Sequence, residues 1–233
     1  MLRKTQRTAL TAVFAALHAV LYFISFGLWR NWGIYLESIE GAILGPKIGF
    51  TAALIGSLVA RMIKPDDFWM FGIIAEPISV LAAGLLAQAK WKPVLGLYFA
   101  TLLAYFIHPY GQSLPLWTII DVLVAVALIY PAAKIGGTLY AVDFKRLPIK
   151  LVLISFVCIA TDSLMRIFLL IPCGLHTLFF KDFGALYDVF VGAAAYSYVE
   201  DLIVVIVSLF AGAPLILTMF KFGFLKREKS VES

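Results

Sequence analysis

The sequence predicts an all-α fold, a polytopic helical bundle integral to a membrane, and three observations carry that prediction. Hydrophobic residues fill 62% of the 233 positions and charged residues 14%, with a mean hydropathy of +0.96, which is far too little polar surface for a soluble domain of this size. The apolar residues come in runs approaching the ~20 residues that cross a bilayer. The Lys and Arg residues behind the formal charge of +5 are concentrated in short loops between those runs, so the basicity reads as topology. No basic face interleaved with aromatics points to nucleic acid. Residues 1–233 are read as a single transmembrane domain.

In chain order the spans are predicted at 8–29, 34–45, 47–63, 68–89, 93–110, 115–135, 149–172 and 196–220. The first follows a basic MLRKTQR segment, but the run from Thr8 to Trp29 is too long for a signal-peptide core and reads as a membrane helix. Residues 37–63 have two readings. They pass for one ordinary span, or Gly45-Pro46 turns the chain between two short helices. Proline disfavours helix at the residue before it, and glycine supplies the backbone freedom of a tight reversal.

Charge distribution chooses between the two. With the N-terminus (Arg3, Lys4, Arg7) in the cytoplasm, the hairpin also brings inside Lys47, Lys90 and Lys92, the 134–150 loop with Lys145 and Arg146, and the tail with Lys221, Lys226, Arg227 and Lys229. A single span at 37–63 would split these groups across the membrane, against the positive-inside rule. The prediction is therefore about eight segments in the cell membrane with both termini cytoplasmic. Six spans plus a re-entrant hairpin satisfies the rule equally well. Cys158 lies within one span and Cys173 just beyond its end, roughly 22 Å apart on one helix, too far to bridge.

Four stretches then carry a resemblance: small residues four apart in the first helix (Ala12 and Ala16, Ala15 and Ala19), the AILGPKIGF turn, the ALIGSLVARMI run, and a helix ending GLLAQAKWK. Together they resemble the S components of energy-coupling factor (ECF) transporters, the membrane subunits that capture vitamins, with the folate, pantothenate and riboflavin group nearest in flavour. The resemblance covers roughly the first ninety residues and, more loosely, the last seventy. It implies high-affinity binding of a small water-soluble vitamin or similar micronutrient. It also implies a transmembrane coupling subunit and two ATPase subunits as partners, with the alanine stripe as the docking face for the coupling subunit. Packing of that stripe against a helix of the same chain is the alternative, since small residues are how helices approach closely in lipid. The chain departs from the family pattern in two places. Ser57 follows Gly56 where an acidic residue is common, and residues 93–135 form a helix pair beyond the usual six spans.

Ionisable residues inside spans are the second functional signal, because a charge there costs a few kcal/mol unless it is paired or wetted. Under the eight-segment topology Glu76, Asp121, Asp162, Arg166 and Glu200 fall in the outer half, and with Trp32 and Tyr35 they are the predicted substrate-binding residues. Each has a plainer reading. Asp162 and Arg166, at i and i+4, make a structural ion pair; Glu37, Arg61 and Asp201 cap or snorkel; Trp and Tyr at helix ends form the interfacial belt. Glu76, followed by Pro77, is hardest to explain away, because a broken helix carrying a buried acid marks binding sites. No His/Cys cluster suggests a metal site, and no GxxxxGK[ST], HExxH or GxSxG motif points to ATP hydrolysis or catalysis, so neither an enzyme nor a cofactor is expected. The excess of acid favours a cationic or amine-bearing ligand such as a thiamine-like compound. The alternative function is a stand-alone proton-coupled secondary transporter, with Glu76 or Asp121 carrying protons, and the third an intramembrane enzyme.

The hairpin is open to direct test. In a background without native cysteines, Lys47→Cys is expected to react with a membrane-impermeant maleimide applied from the cytoplasmic side. Protection from both sides would make the stretch a buried re-entrant loop.

Overall fold

The computed structural model of the chain describes residues 4–24, 31–65, 68–139 and 147–223. Its helices are α1 (Lys4–Tyr22), α2 (Ile34–Leu44), α3 (Pro46–Ile63), α4 (Trp69–Ala87), α5 (Trp91–Ile107), α6 (Pro109–Ser113), α7 (Ile120–Gly136, entered by a 3-10 turn at Leu116–Ile119), α8 (Leu147–Leu170), α9 (His176–Phe179), α10 (Phe183–Val207) and α11 (Ala213–Lys221). Among the described residues there is no strand. Five helical stretches are long and apolar enough to cross a membrane: Pro46–Ile63, Trp69–Ala87, Leu116–Gly136, Leu147–Leu170 and Phe183–Lys221. The chain is an all-helical protein built to be membrane-embedded. The basic residues Arg3, Lys145, Arg146, Lys226, Arg227 and Lys229, residues 25–29 of the first predicted span and Arg30 lie outside the described residues.

The bundle is organised around α4 and α8. Each buries two-thirds of its apolar window inside the protein, against 33–44% for the other three crossing candidates. α4 packs on α2, α3, α7 and α8, and α8 in turn on α7, α10 and α5. Burying a helix this completely in lipid requires close backbone approach, and α4 supplies it with small residues: Gly72, Ala75, Ser79, Ala82, Ala83, Gly84 and Ala87 are all buried.

The Gly45-Pro46 reversal docks onto that surface. α2 ends at Leu44, Gly45 turns the chain with φ +76°, and Pro46 opens α3 as its first residue, where a missing N–H costs nothing. At 11 residues α2 is about 16 Å long, too short to cross the ~30 Å hydrocarbon core unaided. The turn lies against Gly84, where an added Cβ would stand 2.5 Å from the Pro46 nitrogen.

Two expectations are corrected. α4 runs unbroken through Pro77, so Glu76 is carried by a continuous helix. The last segment begins at Phe183 rather than 196, because Asp182 caps it by accepting a hydrogen bond from the Ala185 amide at 2.8 Å. Its first turns (FGALYDVFVG) are apolar apart from Asp188 and continue into the predicted span without a break. This run contains a π-helical segment at Ser208–Gly212 just before Pro214, which has no N–H to continue the regular pattern. Residues 93–135 are integrated with the bundle: the Tyr98 hydroxyl on α5 lies 3.0 Å from Thr161 Oγ1 on α8, and α7 packs along α8.

Gly84→Ala is expected to destabilise the protein by about 1–3 kcal/mol through overpacking against the turn. Gly96→Ala, where an added Cβ meets nothing, should not. Thermal unfolding of the two variants in one detergent compares them.

Candidate functional site

Glu76 is fully buried, and side chains from α1, α3 and α8 converge on its carboxylate. Arg61 of α3 grips it with both terminal nitrogens, Nη2 to Oε1 at 2.5 Å and Nη1 to Oε2 at 3.0 Å. Ser57, one turn before Arg61, donates to Oε2 at 2.6 Å. His18 of α1 places Nε2 3.1 Å from the same oxygen, and Arg166 of α8 reaches Oε1 at 3.4 Å. A buried carboxylate tolerates its desolvation only when paired and hydrogen-bonded to this degree.

The network spreads from Glu76 across the bundle. His18 Nδ1 lies 3.2 Å from Glu40 Oε2 on α2. Ser79 donates to Glu37 Oε2, one helical turn from Glu40, and also lies 2.7 Å from the Glu76 carbonyl. On α8, Arg166 Nε donates to Asp162 Oδ2 at 2.7 Å, the i,i+4 pair expected from spacing. The Arg61 guanidinium also lies over the Tyr22 ring of α1, 4.8 Å from its centroid, a cation–π contact.

Glycine makes this geometry possible at one position. A Cβ on Gly72, one turn before Glu76, would lie 1.7 Å from Arg61 Nη2 and 2.7 Å from Glu76 Oε1. Here the absent side chain is the space that the guanidinium occupies.

Arg166 has a second environment. Together with Asp121, Glu200, Ser163, Ser197 and Thr118 it forms the polar part of a cavity of about 200 Å³ between α7, α8 and α10. Phe68, Phe71, Phe180 and Phe190 contribute aromatic walls, and the Phe68 and Phe71 rings meet Phe179 at a tilt, with centroids 4.9 and 5.8 Å away. A cavity of ~150 Å³ accepts benzene, so this one has room for a single ring with substituents. Tyr198 ties α10 to the start of α7 by donating to the Trp117 carbonyl. Beside the cavity, His108, Tyr110, His176 and Phe183 form an aromatic cluster, with Tyr110 5.0 Å from His176 and 4.8 Å from Phe183. Partial burial, and then the neighbouring His176, hold the His108 imidazole below its ordinary pKa.

The predicted residues thus divide into groups. Asp121, Arg166 and Glu200 share the cavity, while Glu76 and Asp162 stand behind its wall in contact with Arg166. Trp32 and Tyr35 are elsewhere: they meet edge to face at 5.5 Å and pack with Ile34, Ile159 and Val204. Ala12, Ala15, Ala16 and Ala19 line a groove between α1 and α3. Ala15 is buried, its carbonyl 2.6 Å from where a Cβ on Gly56 would stand, whereas Ala12 and Ala16 are exposed. Among the described residues no three His, Cys, Asp or Glu side chains are placed to share a metal ion.

Sequence reasoning missed His18, Glu37, Glu40 and Arg61 as members of the buried network. The signal was available in α1, where Ala15, His18 and Tyr22 recur at i, i+3 and i+7 and therefore share the inward face. Glu37 and Glu40 on α2, and Ser57 and Arg61 on α3, are likewise one turn apart. Gly72→Ala is expected to expel the Arg61 guanidinium and leave Glu76 undercompensated. A loss of about 3–5 kcal/mol is the usual cost of breaking a buried pair, read from denaturant unfolding beside Gly96→Ala; equal stability of the two variants would contradict it.

Comparison with known proteins adds one relative. The chain is 25% identical over 131 residues to MJ0923, an uncharacterized protein of Methanocaldococcus jannaschii, a match that covers 55% of this chain and 44% of that protein. The chain thus spans less than half the length of that relative. No family model and no solved structure matches.

Proposed function

We propose that the protein is a membrane-embedded binding subunit that captures a small, water-soluble, amine-bearing micronutrient for an ATP-driven coupling module, in the manner of an ECF transporter S component. The observation that carries this reading is the cavity of about 200 Å³ with aromatic walls and Asp121, Glu200 and Arg166 in one lining. Apolar walls with a few convergent polar groups are the usual make-up of a small-molecule site. Two carboxylates beside an arginine already engaged by Glu76 and Asp162 favour a cationic solute over a carboxylate.

Topology supports the direction of entry. The cavity lies at the helix ends that carry Phe68, Thr118 and Leu170, whereas Arg7, Lys47, Lys90, Lys92, Lys134 and Lys150 gather at the opposite ends. With the basic ends cytoplasmic, the cavity faces outward, both termini are inside, and α1, α2, α3, α4, α5, α7, α8 and α10 are the eight segments. The exposed half of the alanine stripe, Ala12 and Ala16, is then the docking face for the coupling subunit, and two ATPase subunits complete the machine.

The test is binding of a panel of vitamins and vitamin-like amines to the purified protein by calorimetry. Asp121→Asn and Glu200→Gln are each expected to weaken binding of a retained cationic solute by about 1–3 kcal/mol, with Trp32→Phe unchanged. Replacing Ala12 and Ala16 by Leu should spare that affinity and abolish co-purification with a coupling subunit. Affinity unaffected by both acid variants would remove the cavity from the reading.

A further inference from the structure

His18 is fully buried, with Nδ1 3.2 Å from Glu40 Oε2 and Nε2 3.1 Å from Glu76 Oε2. A neutral imidazole has one N–H and one lone pair, so it donates to one carboxylate only. Its other nitrogen would then face a second carboxylate lone pair to lone pair, in a site sealed from water. Both contacts become hydrogen bonds when one further proton is present.

The surroundings say where that proton lies. Glu76 already accepts from Arg61 at both oxygens and from Ser57 at Oε2, so it is the ionised partner, and His18 Nε2–H donates to it. The remaining contact, His18 Nδ1 to Glu40 Oε2, is completed in one of two ways. Either Nδ1 carries the proton and donates to a Glu40 carboxylate, or a protonated Glu40 donates to Nδ1.

The charges of the buried network that His18 joins point the same way. α2 contributes Glu37 and Glu40, α3 Arg61, α4 Glu76, and α8 Asp162 and Arg166, with the Tyr22 hydroxyl on α1 and the Cys158 thiol on α8 as further titratable groups. Arg61 and Arg166 offset Glu76 and Asp162. Glu37 and Glu40 remain: Ser79 donates to Glu37, whereas the partner of Glu40 is His18 itself, at Oε2, with Oε1 buried and no hydrogen-bond partner among the described residues. An ionised Glu40 beside a neutral His18 would be a charge at membrane depth with nothing to compensate it.

We propose that His18 and Glu40 form a proton-binding site, holding one proton between Nδ1 and Oε2 beyond those of a neutral imidazole and a carboxylate. Its connection to the outer cavity runs through Glu76 to Arg166, whose guanidinium both touches Glu76 and lines the cavity. The site stands whether or not the cavity binds a solute.

The chain has three histidines, which makes the test direct. The full-length protein, labelled with 15N-histidine in lipid nanodiscs, is measured at neutral pH, with a soluble paramagnetic reagent broadening His108 and His176 in the loops. In parallel, the protonated-carboxyl C=O stretch is recorded by infrared difference between wild type and Glu40→Gln. The expected result is one of two signatures: both His18 ring nitrogens protonated, or Nδ1 bare with a carboxylic-acid band lost in Glu40→Gln. The wild-type nitrogen spectrum needs no variant to fold. A bare Nδ1 with no carboxylic-acid band removed by the substitution would overturn the site.

Discussion

The grip of Arg61 on Glu76 is the interaction on which the rest of the interior depends. Glu76 stands on α4, the most enclosed helix with α8, so whatever satisfies it must come from every neighbour at once. α1 supplies His18, α3 Arg61 and Ser57, and α8 Arg166. Each of these groups then needs its own partner, and those partners are Glu40 on α2 and Asp162 on α8. A single buried carboxylate thereby fixes the relative rotation of five helices. In lipid, where apolar burial supplies little drive between helices, such directional contacts carry specificity that packing alone would leave open.

Small residues make that arrangement reachable. The Gly45-Pro46 turn sits on Gly84, α1 sits on Gly56, and the Arg61 guanidinium occupies the side-chain space of Gly72. Polar network and close packing are one design here: bulkier residues at these positions would push the helices beyond hydrogen-bond reach. The cavity lies where this close packing ends. Arg166 is the boundary residue, one side held by Asp162 and Glu76 and the other open between α7, α8 and α10.

Much of this was legible in the sequence, and the exceptions have physical causes. Composition announced a membrane bundle, and the Gly45-Pro46 break was readable because proline and glycine act locally. Asp162 and Arg166 were readable as a pair because i,i+4 spacing is a property of one helix. The meeting of Asp121, Arg166 and Glu200 followed from depth along three helices. Depth, however, does not give rotation, which is why Trp32 and Tyr35, at the right level, pack away from the cavity against Ile159 and Val204. The partners of Arg61 lay beyond reach for another reason. A long side chain at a helix end reads as snorkelling until the neighbouring helix is known to present a glycine and an acid one turn apart. The early start of α10 was missed because Gly184, Asp188 and Gly192 read as a loop, although Asp182 caps a helix that runs through them.

Whether the cavity between α7, α8 and α10 holds a small solute is decided by native mass spectrometry of the protein purified in mild detergent from its own or a related cell. The expected result is a retained amine-bearing compound of vitamin size at near-stoichiometric occupancy, lost when Asp121 and Glu200 are both neutralised. A protein that carries no compound through purification and shifts its melting with none of a panel of vitamins and amines would contradict it.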